Sequence, residues 1–249
     1  MCNSCPDTPI PQVHALSSYQ RRDFIKRLSL AGGSLAVAPT LWAASPGVPK
    51  PDNVLNSQQA LERLLQGNQR YVKNKPRTRQ FEQTRKALAK GQNPYACILS
   101  CADSRISPEF CFDEERGDLF VTRVAGNFAS DAVLASLEYG TAVLGASLIM
   151  VLGHTSCGAV KAAIKAQQEN HSFPGHIQTL TTALAPAVRE ALPKGGDLVE
   201  SVTLENIRAN VRKLRESNPL LTQLQAEKKL QVVGGLYHLD TGRVELVNA

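Results

Sequence analysis

Apolar residues recur along the chain in two patterns. Short, nearly continuous apolar runs occupy residues 95–100, 118–124, 147–153 and 229–239. Between and around them, longer stretches carry apolar residues at helical spacing, at 57–74, 79–90, 130–145, 158–169, 176–192 and 199–217. Continuous apolar strands that alternate with helices are typical of a parallel sheet covered on both faces. The pattern therefore predicts an α/β fold with a mostly parallel central β-sheet flanked by helices.

The two ends of this pattern set the boundaries of the predicted domain. A proline-rich stretch, residues 46–56, reads as a linker, and the helix that follows it at 57–74 predicts an N-terminal helical arm. At the other end, residues 240–247 follow a turn signal and are expected to return as an antiparallel edge strand. The predicted domain covers residues 57–249.

The first 45 residues have the features of a targeting signal. Arg21 and Arg22 precede Phe24 and Lys26, and an uncharged apolar run then extends from 28 to 42 and ends in small residues. This segment resembles a twin-arginine signal peptide, which implies export by the twin-arginine machinery to a periplasmic or otherwise extracytoplasmic location. Retention as an uncleaved anchor is the alternative, although the run is short for a membrane span of about 20 residues.

Charge argues against a nucleic-acid-binding protein, and cysteine spacing argues against a disulfide between Cys97 and Cys101. The formal net charge of +6 is mild, partly belongs to the signal, and otherwise lies mostly in a stretch with few aromatics, so we expect no nucleic-acid binding. Cys97 and Cys101 share a predicted strand and stand roughly 13 Å apart at about 3.3 Å per residue. Bridged cysteines need Cα atoms within about 7 Å, which excludes this disulfide. A bound metal would protect a free thiol after export.

Polar side chains follow two of the apolar runs. Cys101, Asp103 and Arg105 come directly after the run at 95–100, and His154 and Cys157 follow the run at 147–153. Because sites in open parallel sheets form beyond the carboxyl ends of neighbouring strands, these groups are expected to meet. Two thiolates and one imidazole suit zinc and leave a fourth position open, as in catalytic zinc sites.

Asp103 could occupy that fourth position and close the site. Arg105, two residues further on, could instead hold the carboxylate away from the metal through a bidentate pair. A water could then bind zinc, and its pKa would fall to about 7. The spacing thus predicts a metal ligand, a competing carboxylate and an arginine that restrains it.

Two motifs, "CADSR" at 101–105 and "HTSCG" at 154–158, resemble those of the β-class carbonic anhydrases. The similarity extends through "GDLFVTRVAGN", "ASLEYGTAVLG" and "VVGGLYHLDTGRVELV". It implies a carbonate dehydratase, a lyase that binds one Zn²⁺ per chain and converts CO2 and water to bicarbonate and a proton by zinc-bound hydroxide. On this resemblance Cys101, His154 and Cys157 are the zinc ligands, and Asp103 and Arg105 are the catalytic dyad.

The resemblance also implies four substrate-binding positions. Gln92 matches a glutamine that plant-type members supply from the partner subunit, so a homodimer or larger homo-oligomer is expected. Phe120 and Tyr139 match positions that line the plant-type pocket, where a small apolar molecule such as CO2 would fit. Gly158, directly after Cys157, could offer its backbone N–H to a substrate oxygen.

Some positions depart from the family pattern. Ile98 stands where members regulated by bicarbonate carry a tryptophan, while Arg123 and Tyr237 match the other two residues of that regulatory site. We therefore expect an open, plant-type site. Ala125 replaces the usual pocket valine, which keeps carbon disulfide or carbonyl sulfide open as alternative substrates.

Other readings of the same residues remain open. The three ligands could form a structural zinc site, and Asp103 and Arg105 could be only an ion pair. Gln92 could cap a helix, and Phe120 and Tyr139 could belong to the core. The chain could also be a zinc-binding or assembly protein on an inactive scaffold, although a retained Asp103–Arg105 pair argues against that. Cys97 and Cys111 are expected to be buried small hydrophobes. The remaining histidines, His171, His176 and His238, are expected on the surface or in loops, where one could pass protons to buffer.

Overall fold

A computed structural model describes residues 53–79 and 81–249 of the protein, and the predicted signal peptide and most of the predicted linker lie outside that part. The strands of the sheet are β1 (Ala96–Ser100), β2 (Leu119–Arg123), β3 (Leu148–His154), β4 (Gln231–Tyr237) and β5 (Val244–Val247). They lie in the order β2-β1-β3-β4-β5. All neighbours pair in parallel except β4 and β5, which pair antiparallel. The predicted α/β fold with an antiparallel edge strand is confirmed.

Helices connect the strands and cover the sheet. They are α1 (Ser57–Val72), α2 (Phe81–Leu88), α3 (Pro108–Cys111), α4 (Asp131–Glu138), α5 (Gly158–Gln168), α6 (Ile177–Ala191), α7 (Leu198–Arg215) and α8 (Leu220–Ala226). A π-helical turn (Tyr139–Val143) continues α4, and a 3₁₀ turn (Leu192–Lys194) follows α6. In residues 53–79 and 81–249, no helix combines the length and apolar character needed to cross a bilayer.

The sheet separates two apolar cores because alternate residues of each strand point to opposite faces. On β3, Leu148, Met150 and Leu152 enter one core, while Ile149 and Val151 enter the other. Every residue of β1 and β3 is buried, as expected for the central strands of a parallel sheet. The first core also contains Cys101 and Cys157, so the predicted ligands lie on that side of the sheet.

Helix α1 is the predicted helical arm, and it packs on its own chain. Asn56 and Gln59 form a capping box that fixes the start of the helix. Asn68 is buried and binds three backbone groups, donating to the carbonyls of Cys111 and Gly242 and accepting from the N–H of Val244. These bonds tie the arm to the start of β5 and to the segment after β1.

A group of buried carboxylates anchors the same arm. Glu114 is fully buried and binds the guanidinium groups of Arg63 and Arg77, with Nη2–Oε2 distances of 2.7 Å in both pairs. Asp113 accepts from Arg70 Nε at 2.6 Å and from the backbone N–H of Arg77. Buried carboxylates need such partners, so these contacts hold α1 and the segment 73–79 against the domain.

Candidate metal centre

The carboxyl ends of β1 and β3 bring three ligand atoms together. Cys101 follows β1, His154 is the last residue of β3, and Cys157 is the N-cap of α5. Their ligand atoms lie within 4.8 Å of one another, and all three residues are buried. The predicted convergence of two strand ends is therefore present in the structure.

Hydrogen bonds prepare this cluster for a metal. His154 Nδ1 lies 2.9 Å from the carbonyl oxygen of Thr155, which sets Nδ1 as the donor and leaves Nε2 as the lone-pair nitrogen. Nε2 is buried and has no hydrogen-bond partner among the described residues. An orphaned imidazole nitrogen beside two sulfurs is a donor set that fits zinc.

Contact between the two thiols changes their pKa values in opposite directions. Their Sγ atoms are 4.0 Å apart. The hydrogen bond between the two sulfurs lowers the pKa of Cys101 below its usual value and raises the pKa of Cys157 well above its usual value. The backbone N–H of Gly126 also donates to Cys101 Sγ at 3.3 Å. Loss of the proton is therefore favoured at Cys101 over Cys157, and the thiolate is the form that binds metal.

Asp103 stands at the edge of the cluster and is restrained by Arg105. Its Oδ2 lies 3.8 Å from His154 Nε2. Arg105 donates from Nε to Oδ1 at 2.9 Å and from Nη2 to Oδ2 at 2.7 Å, a bidentate pair. The side-chain hydrogen bond from Arg105 holds the pKa of Asp103 well below its usual range. The carboxylate is therefore ionised and directed by the arginine, in the geometry that the spacing predicted.

Arg123, the last residue of β2, fixes the backbone of this segment. Its Nε donates to the carbonyl of Cys101 at 2.9 Å, and its Nη2 donates to the carbonyls of Asp103 and Ile106 at 2.7 and 3.0 Å. One side chain thereby holds the turn that carries a ligand and the acidic group. From the sequence, Arg123 was assigned only to a position of the bicarbonate-regulated site. Its role in holding the backbone after β1 was missed.

Comparison with known proteins agrees with this geometry. The family model for carbonic anhydrase matches residues 96–244. Carbonic anhydrase 2 of Mycobacterium tuberculosis is 38% identical over 192 residues, which cover 77% of this chain and 93% of that protein. The chain belongs to the β-carbonic anhydrase family. It is a carbonic anhydrase, or carbonate dehydratase, as the motifs predicted.

Solved β-carbonic anhydrases share the fold. The β-carbonic anhydrase CcaA is 28% identical with a TM-score of 0.59, and the match covers 76% of this chain and 95% of that one. A tetrameric β-carbonic anhydrase from the ascomycete Sordaria macrospora is similar in fold, with 23% identity, a TM-score of 0.62, and coverage of 77% and 98%.

Gln92 lies away from the cluster of its own chain. Gln92 is exposed in the loop before β1, whereas the candidate ligand Cys101 follows the other end of that strand. Beside it, an open depression is lined by residues that include Arg85, Lys90 and Arg116. A single chain therefore does not bring Gln92 to its own metal centre.

Phe120 and Tyr139 lie together but apart from the cluster. Their ring centroids are 6.2 Å apart. Phe120 pairs with Cys97 in the sheet, roughly 13 Å before Cys101 along β1. It also packs against the core on the other face, and Tyr139 is 49% exposed. Within one carbonic anhydrase chain these two rings do not line the metal centre.

Gly158 opens α5 directly after the ligand Cys157. A Cβ built at this glycine would meet no described atom within 4 Å, so the space beside it is open. Its N–H belongs to the first turn of the helix, where backbone donors lack intrahelical partners. The position is compatible with the predicted contact to a substrate oxygen.

The three positions of the bicarbonate-regulated site serve other purposes in this carbonic anhydrase. Ile98 is fully buried in the middle of β1. Arg123 is engaged by backbone carbonyls, as described above, and the hydroxyl of Tyr237 lies 3.2 Å from that of Tyr71. Cys97 and Cys111 are buried free thiols, as expected.

Proposed function

We propose that the chain is an exported zinc carbonic anhydrase that interconverts CO2 and bicarbonate at the Cys101–His154–Cys157 centre. The observation that carries the proposal is the convergence of these three ligand atoms within 4.8 Å beside an acidic group. Two sulfurs and one nitrogen make a catalytic rather than a structural zinc set, because the fourth position is left for water or substrate.

Cys101, His154 and Cys157 would hold zinc, and its Lewis acidity would lower the pKa of a water at the site to about 7. The protein's own groups do the remaining work. Arg105 keeps Asp103 out of the fourth position. The Asp103 Oδ2 atom, 3.8 Å from His154 Nε2, would accept a hydrogen bond from the attacking water and so orient it. The N–H of Gly158 donates to the oxygen of CO2 on which negative charge develops.

A second subunit completes the substrate pocket in this proposal. Gln92, Phe120 and Tyr139 all lie away from the cluster of their own chain, and all three are exposed or half-buried. A homodimer that places them over the partner's metal centre would supply an apolar wall for CO2 and an amide for bicarbonate. The tetrameric assembly named for the Sordaria macrospora enzymes supports an oligomer.

Export by the twin-arginine machinery, to the periplasm or another extracytoplasmic space, is part of the same proposal. Residues 1–45 support it through Arg21, Arg22 and the apolar run that follows. Fusing these residues to a reporter and replacing Arg21 and Arg22 by lysine tests it. Retention of the lysine variant in the cytoplasm is expected, and equal export of both fusions would contradict the proposal.

The central experiment is stopped-flow CO2 hydration by residues 45–249 at pH 7 and pH 8.5, with zinc quantified on the same sample. Turnover at both pH values with one zinc per chain is expected for the open site. Turnover only at pH 8.5 would mean that Asp103 closes the centre. Full zinc without turnover at either pH would refute the CO2 assignment and direct the assay to carbonyl sulfide and carbon disulfide.

A further inference from the structure

Two asparagines on the buried face of α7 reach the metal centre through the loop after β2. Asn206 and Asn210 are only 3% and 6% exposed. Asn206 Nδ2 donates to the carbonyl of Gly126 at 2.8 Å, and the N–H of Gly126 donates to Cys101 Sγ at 3.3 Å. One glycine therefore connects a side chain of α7 to a metal ligand.

The orientation of Asn206 is set by its neighbour. Asn210 Nδ2 donates to Asn206 Oδ1 at 2.9 Å, so the amide nitrogen of Asn206 must face Gly126. Asn210 Oδ1 in turn accepts from the backbone N–H of Ala129 at 2.7 Å. Loop 126–129 is thus held at both ends by one turn of α7, and these buried polar groups satisfy one another.

Gly126 has little freedom to move in response to a change at α7. Its φ of +84° lies in the left-handed region, which glycine adopts without strain. A Cβ there would lie 2.8 Å from Leu184 Cδ1 and 3.3 Å from Ala159 Cβ. The glycine is packed on one side, bound by Asn206 through its carbonyl, and directed at Cys101 through its N–H.

We infer that Asn206 is a positioning residue for the metal ligand Cys101, acting through the peptide groups of Gly126. A hydrogen bond to a ligating sulfur fixes the position of that sulfur and withdraws electron density from its bond to the metal. Asn206 therefore sets metal affinity and the character of the Cys101–metal bond without touching either. This inference rests on the proposed zinc site.

The test compares Asn206→Leu, which keeps the branched shape of the side chain and removes the donor, with Val211→Ala. Val211 is fully buried on the same helix, and its aliphatic side chain forms no hydrogen bond to loop 126–129, so it controls for loss of packing. Zinc affinity is measured by competition with a chromophoric chelator. The thiolate-to-cobalt charge-transfer band of the Co²⁺-loaded proteins reports on the ligand bond. Melting temperature is measured in parallel.

At least about tenfold weaker zinc binding and a shifted charge-transfer band are expected for Asn206→Leu and not for Val211→Ala. Equal zinc affinity and an unchanged band in the two variants would overturn the inference. If the parent protein bound Co²⁺ without a thiolate-to-cobalt band, that result would refute the proposed zinc site rather than the role of Asn206.

A measurement on the parent protein covers the case in which Asn206→Leu does not fold. With ¹¹³Cd in the site, scalar coupling between the metal and the Gly126 amide proton detects the N–H···S bond directly. Coupling is expected, and its absence from a spectrum in which the Gly126 amide is assigned would overturn the inference.

Discussion

Arg105 holds both carboxylate oxygens of Asp103, and its Nη2 also lies 3.4 Å from the carbonyl of Ser156, between His154 and Cys157. The arginine therefore contacts both segments that carry ligands. Arg105 thereby fixes the position of the Asp103 carboxylate relative to the ligand cluster.

Replacing Arg105 by alanine frees Asp103 to approach the metal. We expect CO2 hydration to fall at least about 100-fold while zinc content stays at one per chain, because the fourth position becomes occupied. Arg105→Lys keeps the charge but not the bidentate geometry, so an intermediate rate is expected. An Arg105→Ala protein with parental turnover would contradict the role given to the pair.

Arg123 offers a test of backbone positioning. Arg123→Gln removes the donors to the carbonyls of Cys101, Asp103 and Ile106 and lets the turn relax. A displacement of about 1 Å can cost about 100-fold in rate, so kcat should fall strongly with zinc retained. Stopped-flow kinetics with metal analysis measures this, and unchanged kcat would show that the turn is held by other contacts.

Gly158 can be changed in two ways that separate its N–H from its size. Gly158→Pro removes the N–H at the first position of α5, where proline is well tolerated. The preceding Cys157 has φ −66° and ψ 123°, which suits a residue before proline. Gly158→Ala keeps the N–H and adds a methyl group in open space.

We expect Gly158→Pro to lose about 10²–10³-fold in kcat, the cost of one donor to a developing oxyanion, and to keep its zinc. The alanine variant should retain most of its rate and its melting temperature. Equal rates for the two variants would show that the N–H does not act on substrate.

Mixing inactive variants tests whether Gln92 acts across subunits. Gln92→Leu leaves the metal site intact, and Cys101→Ser leaves Gln92 intact. After dissociation and reassociation, random dimers would carry complete sites in about a quarter of all positions, so activity should return. A mixture of Cys101→Ser with His154→Ala, both damaged at the same site, should stay inactive. No recovery in the first mixture would refute the shared pocket.

The buried Asp113 predicts how stability depends on pH. Burial alone would raise its pKa, but hydrogen bonds from Arg70 and from the Arg77 backbone outweigh burial and hold the pKa below its usual value. Asp113 therefore contributes its full stabilisation above about pH 3.9, its pKa in an unfolded chain. This stabilisation is lost as the pH falls through the lower pKa of the folded state.

Asp113→Asn is a matched variant, because asparagine tolerates the positive φ of 48° at this position. We expect it to be less stable by about 1–3 kcal/mol at pH 7, since Arg70 loses a charged partner. Denaturant unfolding from pH 7 to pH 3 should show the two proteins converging at acid pH. Loss of zinc at acid pH would affect both proteins and so cancels in the comparison. A difference in free energy of unfolding that stays constant down to pH 3 would contradict the role of Asp113.

Much of the fold was accessible to sequence reasoning because the strands are continuous apolar runs bounded by polar turns. All the described strands were anticipated. Helices α3 and α8 were missed, since α3 is a single turn and α8 is short. The predicted helix over 130–145 is α4 followed by a π-helical turn, a change of hydrogen bonding that apolar spacing does not reveal.

The candidate site divides in the same way. Cys101, Asp103 and Arg105 were found because their spacing along one extended segment is local, and His154 with Cys157 forms a second local group. The contact of Asn206 with Gly126 joins residues far apart in the chain, and no local pattern marks it. The separation of Phe120 and Tyr139 from the cluster likewise depends on which face of the sheet each side chain occupies.

The ligands come from the ends of two strands that touch only after β1 and β3 pair. An unfolded chain offers His154 and Cys157 close together, but Cys101 joins them only through the completed crossover. The metal centre is consequently complete only once these strands have paired, and a metal ion held there would tie the two central strands together. Depleting zinc during synthesis should therefore slow maturation of the whole domain as well as reduce turnover.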